Sequence, residues 1–198
     1  MKIYGILIAA GFSGRMKSFK PLLDYKGKPF VITIAEKLST VCDRVVVVTG
    51  YKSAAIEKAI ITRGSDKLTK KIILAFNPDF ASGMFTSLQK GAEYCSVADW
   101  TVYHFVDQPN LPYQFYADFI SAADDSSNWV QPSYNNRNGH PILLGKSALD
   151  LIISSDKNSN LRDLSRSDKI RRKTVELNYP QILSDVDTPS EYKKIIDD

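Results

Sequence analysis

Hydrophobic and polar positions follow two alternating rhythms along the chain. Short apolar runs rich in β-branched residues occur at Lys2–Ala9 and Arg44–Thr49, the second holding four consecutive valines. Such runs suit strands covered on both faces. Lys71–Phe76, Thr101–Val106, Trp129–Tyr134, Pro141–Leu144 and Thr174–Leu177 supply further strands. Between them lie segments with helical spacing of apolar residues: Pro29–Val41, Ser53–Thr62, Ser82–Cys95, Pro112–Ala123, Ser147–Ser154, Asn160–Ser165 and Pro189–Ile196. Pro29 falls where a helix tolerates proline. Ser53 is expected to cap its helix, and Gly83 to open the next one. The polar loop Asn135–Gly139 separates two strands. This alternation predicts an α/β fold with a doubly wound, mostly parallel sheet flanked by helices. Such sheets bind ligands beyond the carboxyl ends of their strands. Residues just after strands are therefore the ones to inspect.

Composition narrows the picture only a little. A chain of 198 residues builds one sizeable core and is short for two full domains, so one domain over 1–198 is expected. No apolar run has bilayer length, and Met1–Ala10 lacks a signal-peptide pattern. A cytoplasmic protein with no membrane partner is expected. Cys42 and Cys95 lack disulfide or metal-ligand spacing and read as free buried thiols. His104 and His140 are too few and scattered for a zinc site. The net charge of +4, from 26 basic and 22 acidic residues, is modest, and no nucleic-acid partner is expected. Lys169, Arg171, Arg172 and Lys173 form the one basic cluster, read as a solvated loop or strand end. Attraction of a phosphate-bearing substrate is its other use.

The first strand runs into Ala9-Ala10-Gly11-Phe12-Ser13-Gly14-Arg15-Met16. Small residues let the backbone approach a ligand closely, and successive amides can cradle an anion. Arg15 clasps phosphate oxygens as a fork, and Lys20 offers a point charge. The spacing matches neither the Walker A loop nor the dinucleotide fingerprint. Taken alone, the segment reads equally well as an ordinary strand-to-helix turn carrying two surface cations.

Acidic residues follow two later strands: Asp107 in Val-Asp-Gln-Pro, and Asp185 and Asp187 in Ser-Asp-Val-Asp-Thr-Pro. Carboxylates brought together from different strands suit Mg²⁺, a hard cation that shares its ligands with substrate phosphates. Each aspartate also reads as a helix cap or turn residue. Asp185 fits that second role well. In an extended segment Asp185 and Asp187 point to the same side. Asn77-Pro78 and the helix entry Ser82-Gly83-Met84-Phe85-Thr86-Ser87-Leu88 can hold an anion or a base edge, or simply make a capped entry. His140, in Gly139-His140-Pro141, is a rim residue or a structural one.

Together these segments resemble the molybdenum cofactor cytidylyltransferases and the wider molybdopterin-guanine-dinucleotide-synthase-like nucleotidyltransferases. The resemblance rests on Leu7–Met16 with Lys20-Pro-Leu-Leu, Asn77-Pro78 with Gly83-Met84 and Ser87-Leu88, Val106-Asp107-Gln108-Pro109 with Pro112, Gly139-His140-Pro141, and Asp185-Val186-Asp187-Thr188-Pro189. They stand in the family's order across nearly the whole chain. The resemblance implies a Rossmann-like mixed sheet of about seven strands, of nucleotide-diphospho-sugar transferase type. It implies a nucleotide site at Ala9, Ala10, Gly11, Gly14, Arg15, Lys20, Asn77, Gly83 and Ser87. Asp107 and Asp187 would bind Mg²⁺, and His140 would lie on the acceptor side. Arg15, Lys20 and Asp107 would carry the catalysis. Ala-Ala-Gly in place of Ala-Gly-Gly tends to accompany CTP over GTP in this family. The implied reaction passes a nucleoside monophosphate from an NTP to a phosphorylated acceptor, molybdopterin or molybdenum cofactor, with a molybdoenzyme as eventual recipient. Two alternatives stand beside it: another acceptor such as a sugar phosphate or methylerythritol phosphate, and a non-catalytic nucleotide-binding chaperone or regulator. Lys17 stands where the family often has glycine, and Ser154–Ser167 is shorter and more polar than expected of an acceptor lid.

Overall fold

The structure, a computed structural model, describes residues 1–16 and 18–197; Lys17, singled out above, lies outside them. The chain opens with β1 (Ile3–Ile8), a small hairpin of β2 (Asp24–Tyr25) and β3 (Lys28–Pro29), and α1 (Phe30–Val41). Next come β4 (Arg44–Thr49), α2 (Ser53–Arg63), α3 (Asp66–Thr69), β5 (Ile72–Phe76), α4 (Met84–Glu93), β6 (Trp100–Phe105) and α5 (Tyr113–Ile120). The last part holds β7 (Trp129–Tyr134), β8 (Arg137–Asn138), β9 (Ile142–Gly145), α6 (Lys146–Ser154), α7 (Leu161–Leu164), β10 (Arg172–Glu176) and α8 (Pro189–Asp197).

The main sheet runs β10-β7-β9-β6-β1-β4-β5, with β8 paired to β7. β1 lies parallel to β4 and β6, β5 parallel to β4, and β10 parallel to β7. Only β9 and the small β8 run against their neighbours. The mixed, mostly parallel Rossmann-like sheet is thus the expected one. β9 is reversed because the chain turns back directly after β7, and a short connection can only make antiparallel neighbours. Asn135 and Asn136 make that turn with φ of 49° and 60°, the backbone that two-residue hairpins favour.

Side-chain alternation along β1 divides the core in two. Ile3 and Leu7 join Phe30, Ile34 and Leu38 of α1 and Phe115 and Phe119 of α5 on one face. Tyr4, Ile6 and Ile8 join Leu88 and Ala92 of α4 and Leu149 and Ile152 of α6 on the other. Cys42 and Cys95 are free and buried. Among the described residues, no helix is long and apolar enough to cross a membrane.

Two local expectations are corrected. Ser53 is the first residue of α2 rather than its cap; Lys52 holds the cap position at φ 51° with no side-chain cap bond. The β2–β3 hairpin and α3 are additions, short enough that neither shows a full period of apolar spacing. The chain leaves β1 toward β4 and β5, then returns to β6 on the other side of β1. That reversal opens a crevice beyond the ends of β1 and β6.

The approach of α4 to the sheet gives a packing test. A Cβ at Gly91 would lie 2.7 Å from Ile6 Cγ2 and 2.9 Å from Val48 Cγ2. Gly91→Val is expected to destabilise the protein by about 2 kcal/mol or more through overpacking. Urea unfolding checks this, and an unchanged midpoint would show that α4 sits less closely than described.

Candidate functional site

The loop after β1 does not give all its amides to solvent. The Ala9 N–H bonds the Val48 carbonyl at 2.9 Å, and the Ala10 carbonyl accepts the Tyr51 N–H at 3.0 Å. Both alanines are buried and anchor the loop to β4. Beyond them, Gly11, Phe12 and Ser13 face a cavity of about 340 Å³, together with Lys20, Gly83, Ser87 and Asp107. Ser13 adopts φ 58°, and its Oγ accepts the Lys20 N–H at 3.0 Å, which folds the loop back on itself. Gly14 opens a short turn ending at Met16 and does not line the cavity.

The opposite wall is the entry to α4. Gly83 has φ 122°, a backbone open to glycine and strained for other residues. Asn77 is buried, and its Nδ2 donates to Thr86 Oγ1 at 3.0 Å and Ser87 Oγ at 2.9 Å. Its Oδ1 accepts the Asp79 N–H. Asn77 therefore holds Ser87 toward the cavity rather than facing it.

Asp107 follows β6, and the segment of Asp185 and Asp187 is tied directly to it. The Val186 N–H donates to the Asp107 carbonyl at 2.9 Å, and the Val186 side chain is buried. With Val186 turned inward, Asp185 and Asp187 both face a second, larger cleft of about 650 Å³, which Asp107, Arg15 and His140 also line. A neighbouring loop is fastened by Gln108, whose Nε2 donates to the Ile182 carbonyl, and by the His140 N–H, which bonds the same oxygen. Glu191 closes the turn into α8, accepting the Asp187 and Thr188 amides at 2.9 and 2.8 Å. Its partner bond, Glu191 N–H to Thr188 Oγ1, completes a capping box.

Cations of the loop meet these carboxylates. The buried Lys20 places Nζ 2.5 Å from Asp187 Oδ1 and 3.5 Å from Asp107 Oδ2. Arg15 Nη2 holds the other oxygen of Asp187 at 2.8 Å. Burial pushes the Asp107 carboxyl up to about 6; Lys20 opposes that rise, while Asp185 and Asp187 add to it. Burial, with Asp187 beside it, also raises Asp185. His140 is lowered to about 4 by burial and stands as a neutral imidazole, its ring 4.7 Å from Phe105. His104, by contrast, is spent inside the core on Tyr116 and the Phe105 carbonyl.

The donor set fits a hard divalent cation in part. Asp107 Oδ1 is buried without a partner among the described residues, and carboxylate oxygens are what Mg²⁺ or Mn²⁺ selects. Among the described residues, however, no three His, Cys, Asp or Glu side chains converge as a ready-made cage. A cation that takes one or two carboxylates and completes its shell with water and phosphate needs no such cage.

A family model described as the MobA-like NTP transferase domain matches residues 5–174. The chain belongs to this family. As a MobA-like NTP transferase it is a nucleotidyltransferase. It is 27% identical to a molybdenum cofactor cytidylyltransferase of Escherichia coli, over 94% of this chain and 92% of that protein. It is 24% identical to a probable molybdenum cofactor guanylyltransferase of Bacillus cereus, over 96% of this chain and 94% of that protein. Its fold matches that of a nucleotidyl transferase from Methanothermobacter thermautotroptrophicus with a TM-score of 0.80 and 22% identity, covering 99% of this chain and 96% of that one.

In this MobA-like chain several cleft residues escape sequence reasoning. Trp129, Gln131, Arg162, Arg166 and Arg172 all line the larger cleft. Arg172 belongs to the basic cluster read as solvated. The rest of that cluster stays out of the larger cleft: Arg171 bonds the Ser126 carbonyl and Lys173 pairs with Asp124. Glu191 had a usable signal, since Thr188-Pro189-Ser190-Glu191 is a capping-box sequence.

The raised Asp107 pKa makes a stability prediction. A carboxyl whose folded pKa exceeds its unfolded one favours the folded state while protonated, and that advantage fades as pH rises through about 6. Asp107→Asn is neutral at every pH and keeps the advantage. Without added metal at about pH 7.5, the variant is expected to be more stable by on the order of 1–3 kcal/mol. The gap should close below about pH 4. Thermal unfolding at both pH values checks this; a less stable variant at the higher pH would mean that the pairing with Lys20 outweighs burial.

Proposed function

We propose that residues 1–198 act as one domain that transfers a nucleoside monophosphate, CMP in preference to GMP, from an NTP to a phosphorylated acceptor of the molybdenum cofactor class, releasing pyrophosphate. One observation carries this reading: Arg15 and Lys20, on the loop after β1, stand within ion-pair distance of Asp107 and Asp187, between two adjoining clefts. The smaller cleft, with Gly11, Ser13, Lys20, Gly83 and Ser87, suits the nucleotide. The larger, with His140, suits the acceptor. Asp107 lines both and stands where the two substrates would meet.

An oxygen of the acceptor phosphate attacks the α-phosphorus in line. The new P–O bond forms as the bond from the α-phosphorus to the bridging oxygen breaks, and that oxygen leaves with pyrophosphate. An ionised phosphate is already nucleophilic, so the chain's work is positioning and charge neutralisation. Lys20 and Arg15 bind the triphosphate oxygens and take up negative charge as pyrophosphate departs. Asp107 and Asp187 would hold Mg²⁺, which on binding neutralises phosphate charge. The neutral His140 can donate one hydrogen bond to the acceptor without adding charge.

Ala9-Ala10-Gly11 and the cytidylyltransferase relative support CTP, whereas the guanylyltransferase relative keeps GTP as the comparison to run. The same reading puts the enzyme in the cytoplasm with a molybdoenzyme receiving its product.

Pyrophosphate release with CTP or GTP, Mg²⁺ and molybdenum cofactor tests the proposal, with sugar phosphates and methylerythritol phosphate as rival acceptors. Release with CTP and molybdenum cofactor is expected. Binding of nucleotide without release from any acceptor would mean a regulator or chaperone instead. Asp107→Ala is expected to lower turnover by at least about 100-fold; near-normal turnover would remove Asp107 from the metal. Lys20→Ala is expected to weaken CTP binding about tenfold or more, read by titration calorimetry, and unchanged affinity would contradict its phosphate role.

A further inference from the structure

The larger cleft extends well beyond the carboxylates. Its volume of about 650 Å³ lies in the range of sites that enclose a whole small molecule, roughly 300–1,000 Å³, and exceeds what one phosphate needs. Its two ends differ in chemistry. The inner end carries Asp107, Asp185 and Asp187 with Arg15. The outer end carries Arg162, Arg166 and Arg172. Among the described residues, none of these three arginines forms an ion pair with a carboxylate. Arg172 gives one N–H to Gln131 Oε1 at 2.8 Å, which leaves most of its donors free.

The wall between the ends is apolar, with Phe105, Ile142 and Leu161, and it contains an unusual tryptophan. Trp129 is 2% exposed and lines the cleft, and among the described residues its Nε1–H has no partner. An indole N–H only donates, and a buried donor left unmade costs about 1–3 kcal/mol. Arg172 is the register partner of Trp129 across β10 and β7, so both side chains leave the same face of the sheet. Arg162 and Arg166 stand four positions apart in the turn around α7. That turn is fixed by Asn160 Oδ1, which accepts the Asp163 N–H at 2.9 Å. Three guanidinium groups and an indole N–H thus offer donors, and, apart from the inner-end carboxylates, the acceptors that line the cleft with them, on Gln131, Asn138 and Ser165, are neutral.

We propose that Arg162, Arg166 and Arg172, with the indole N–H of Trp129, form a second anion subsite that binds an oxygen-rich, negatively charged group of the acceptor other than its attacking phosphate. This rests on the acceptor reading of the cleft. The acceptor class is thereby a molecule with anionic groups at both ends of an apolar or flat body, rather than a simple sugar monophosphate. The unpaired guanidiniums at the outer end, against inner-end carboxylates already held by Lys20 and Arg15, also fix which way round it lies.

The test uses the full chain with Trp100→Phe, which leaves Trp129 as the one tryptophan of the two. Its fluorescence is titrated with molybdenum cofactor, and CTP and GTP affinities are measured in parallel. In this background Arg162→Gln/Arg166→Gln/Arg172→Gln is expected to bind molybdenum cofactor about tenfold more weakly or worse, with nucleotide affinity held within about twofold. The corresponding triple lysine variant is expected to recover part of the loss, having charge without the fork. Unchanged cofactor affinity in the glutamine variant would overturn the subsite. An equal loss of nucleotide affinity would also overturn it, by giving the arginines to the triphosphate. If the parent protein takes no molybdenum cofactor, it is the acceptor assignment that fails. The subsite is then judged with inorganic sulfate added over saturating CTP: a sulfate response lost in the glutamine variant supports it, and an equal response in both proteins overturns it.

Discussion

The ammonium of Lys20 lies between Asp187 and Asp107, 2.5 and 3.5 Å away, and Arg15 holds the far oxygen of Asp187 at 2.8 Å. Much of the surrounding structure can be understood from this contact. Drawing carboxylates out of water costs several kcal/mol per ion unless a counter-charge comes with them. Without Lys20, Asp107 and Asp187 could not share a crevice while charged. Without the carboxylates, a buried ammonium would be equally costly. The cluster is therefore held by mutual neutralisation among groups far apart in sequence. It is also a set of charges that substrates can rearrange. A polyphosphate offers oxygens to the two cations, and a divalent cation offers itself to the two carboxylates, so the pair of them can replace the internal bonds without leaving a net charge unmatched.

Much of this was readable before the structure, and the reasons differ by residue. β1 and β4 announce themselves because buried parallel strands need unbroken β-branched runs. The placement of Asp185 and Asp187 on one side follows from simple alternation once Val186 is seen as apolar, and Val186 is indeed buried. The approach of that segment to Asp107 does not follow from any local pattern. It depends on one backbone bond, from the Val186 amide to the Asp107 carbonyl, between segments that share no periodicity. Asn77 shows the same boundary from another angle. Its position after a strand marks it for the site, but its amide is consumed in fixing Thr86 and Ser87. A sequence shows that a polar residue is near the chemistry sooner than it shows which way the side chain is spent.

The basic residues make the point in reverse. Lys169, Arg171, Arg172 and Lys173 cluster in sequence, yet only Arg172 reaches the larger cleft. Along a strand, neighbours alternate sides, so a run of like charges is divided between faces as soon as it becomes extended. Arg171 and Lys173 turn to Ser126 and Asp124. The partners that Arg172 acquires, Arg162 and Arg166, come from the polar segment expected to hold a short helix over Asn160–Ser165, and no local pattern there places them beside β10. Local density of charge was the wrong measure; the face on which each charge emerges was the right one.

The matched family model covers residues 5–174, which includes the loop after β1, Asp107 and the three arginines but stops short of Asp185 and Asp187. Membership in the MobA-like family thus accounts for the loop after β1 and Asp107 more directly than for the second carboxylate. That carboxylate is placed by packing and backbone bonds. Val186 packs into the core, its amide is bound to Asp107, and Glu191 caps the turn that follows. Those three constraints leave Asp187 facing Lys20 and Arg15. A segment held from its apolar side, its backbone and its following helix is built to keep a charged group in place, and the charge it keeps is the one that the cations of the loop after β1 neutralise.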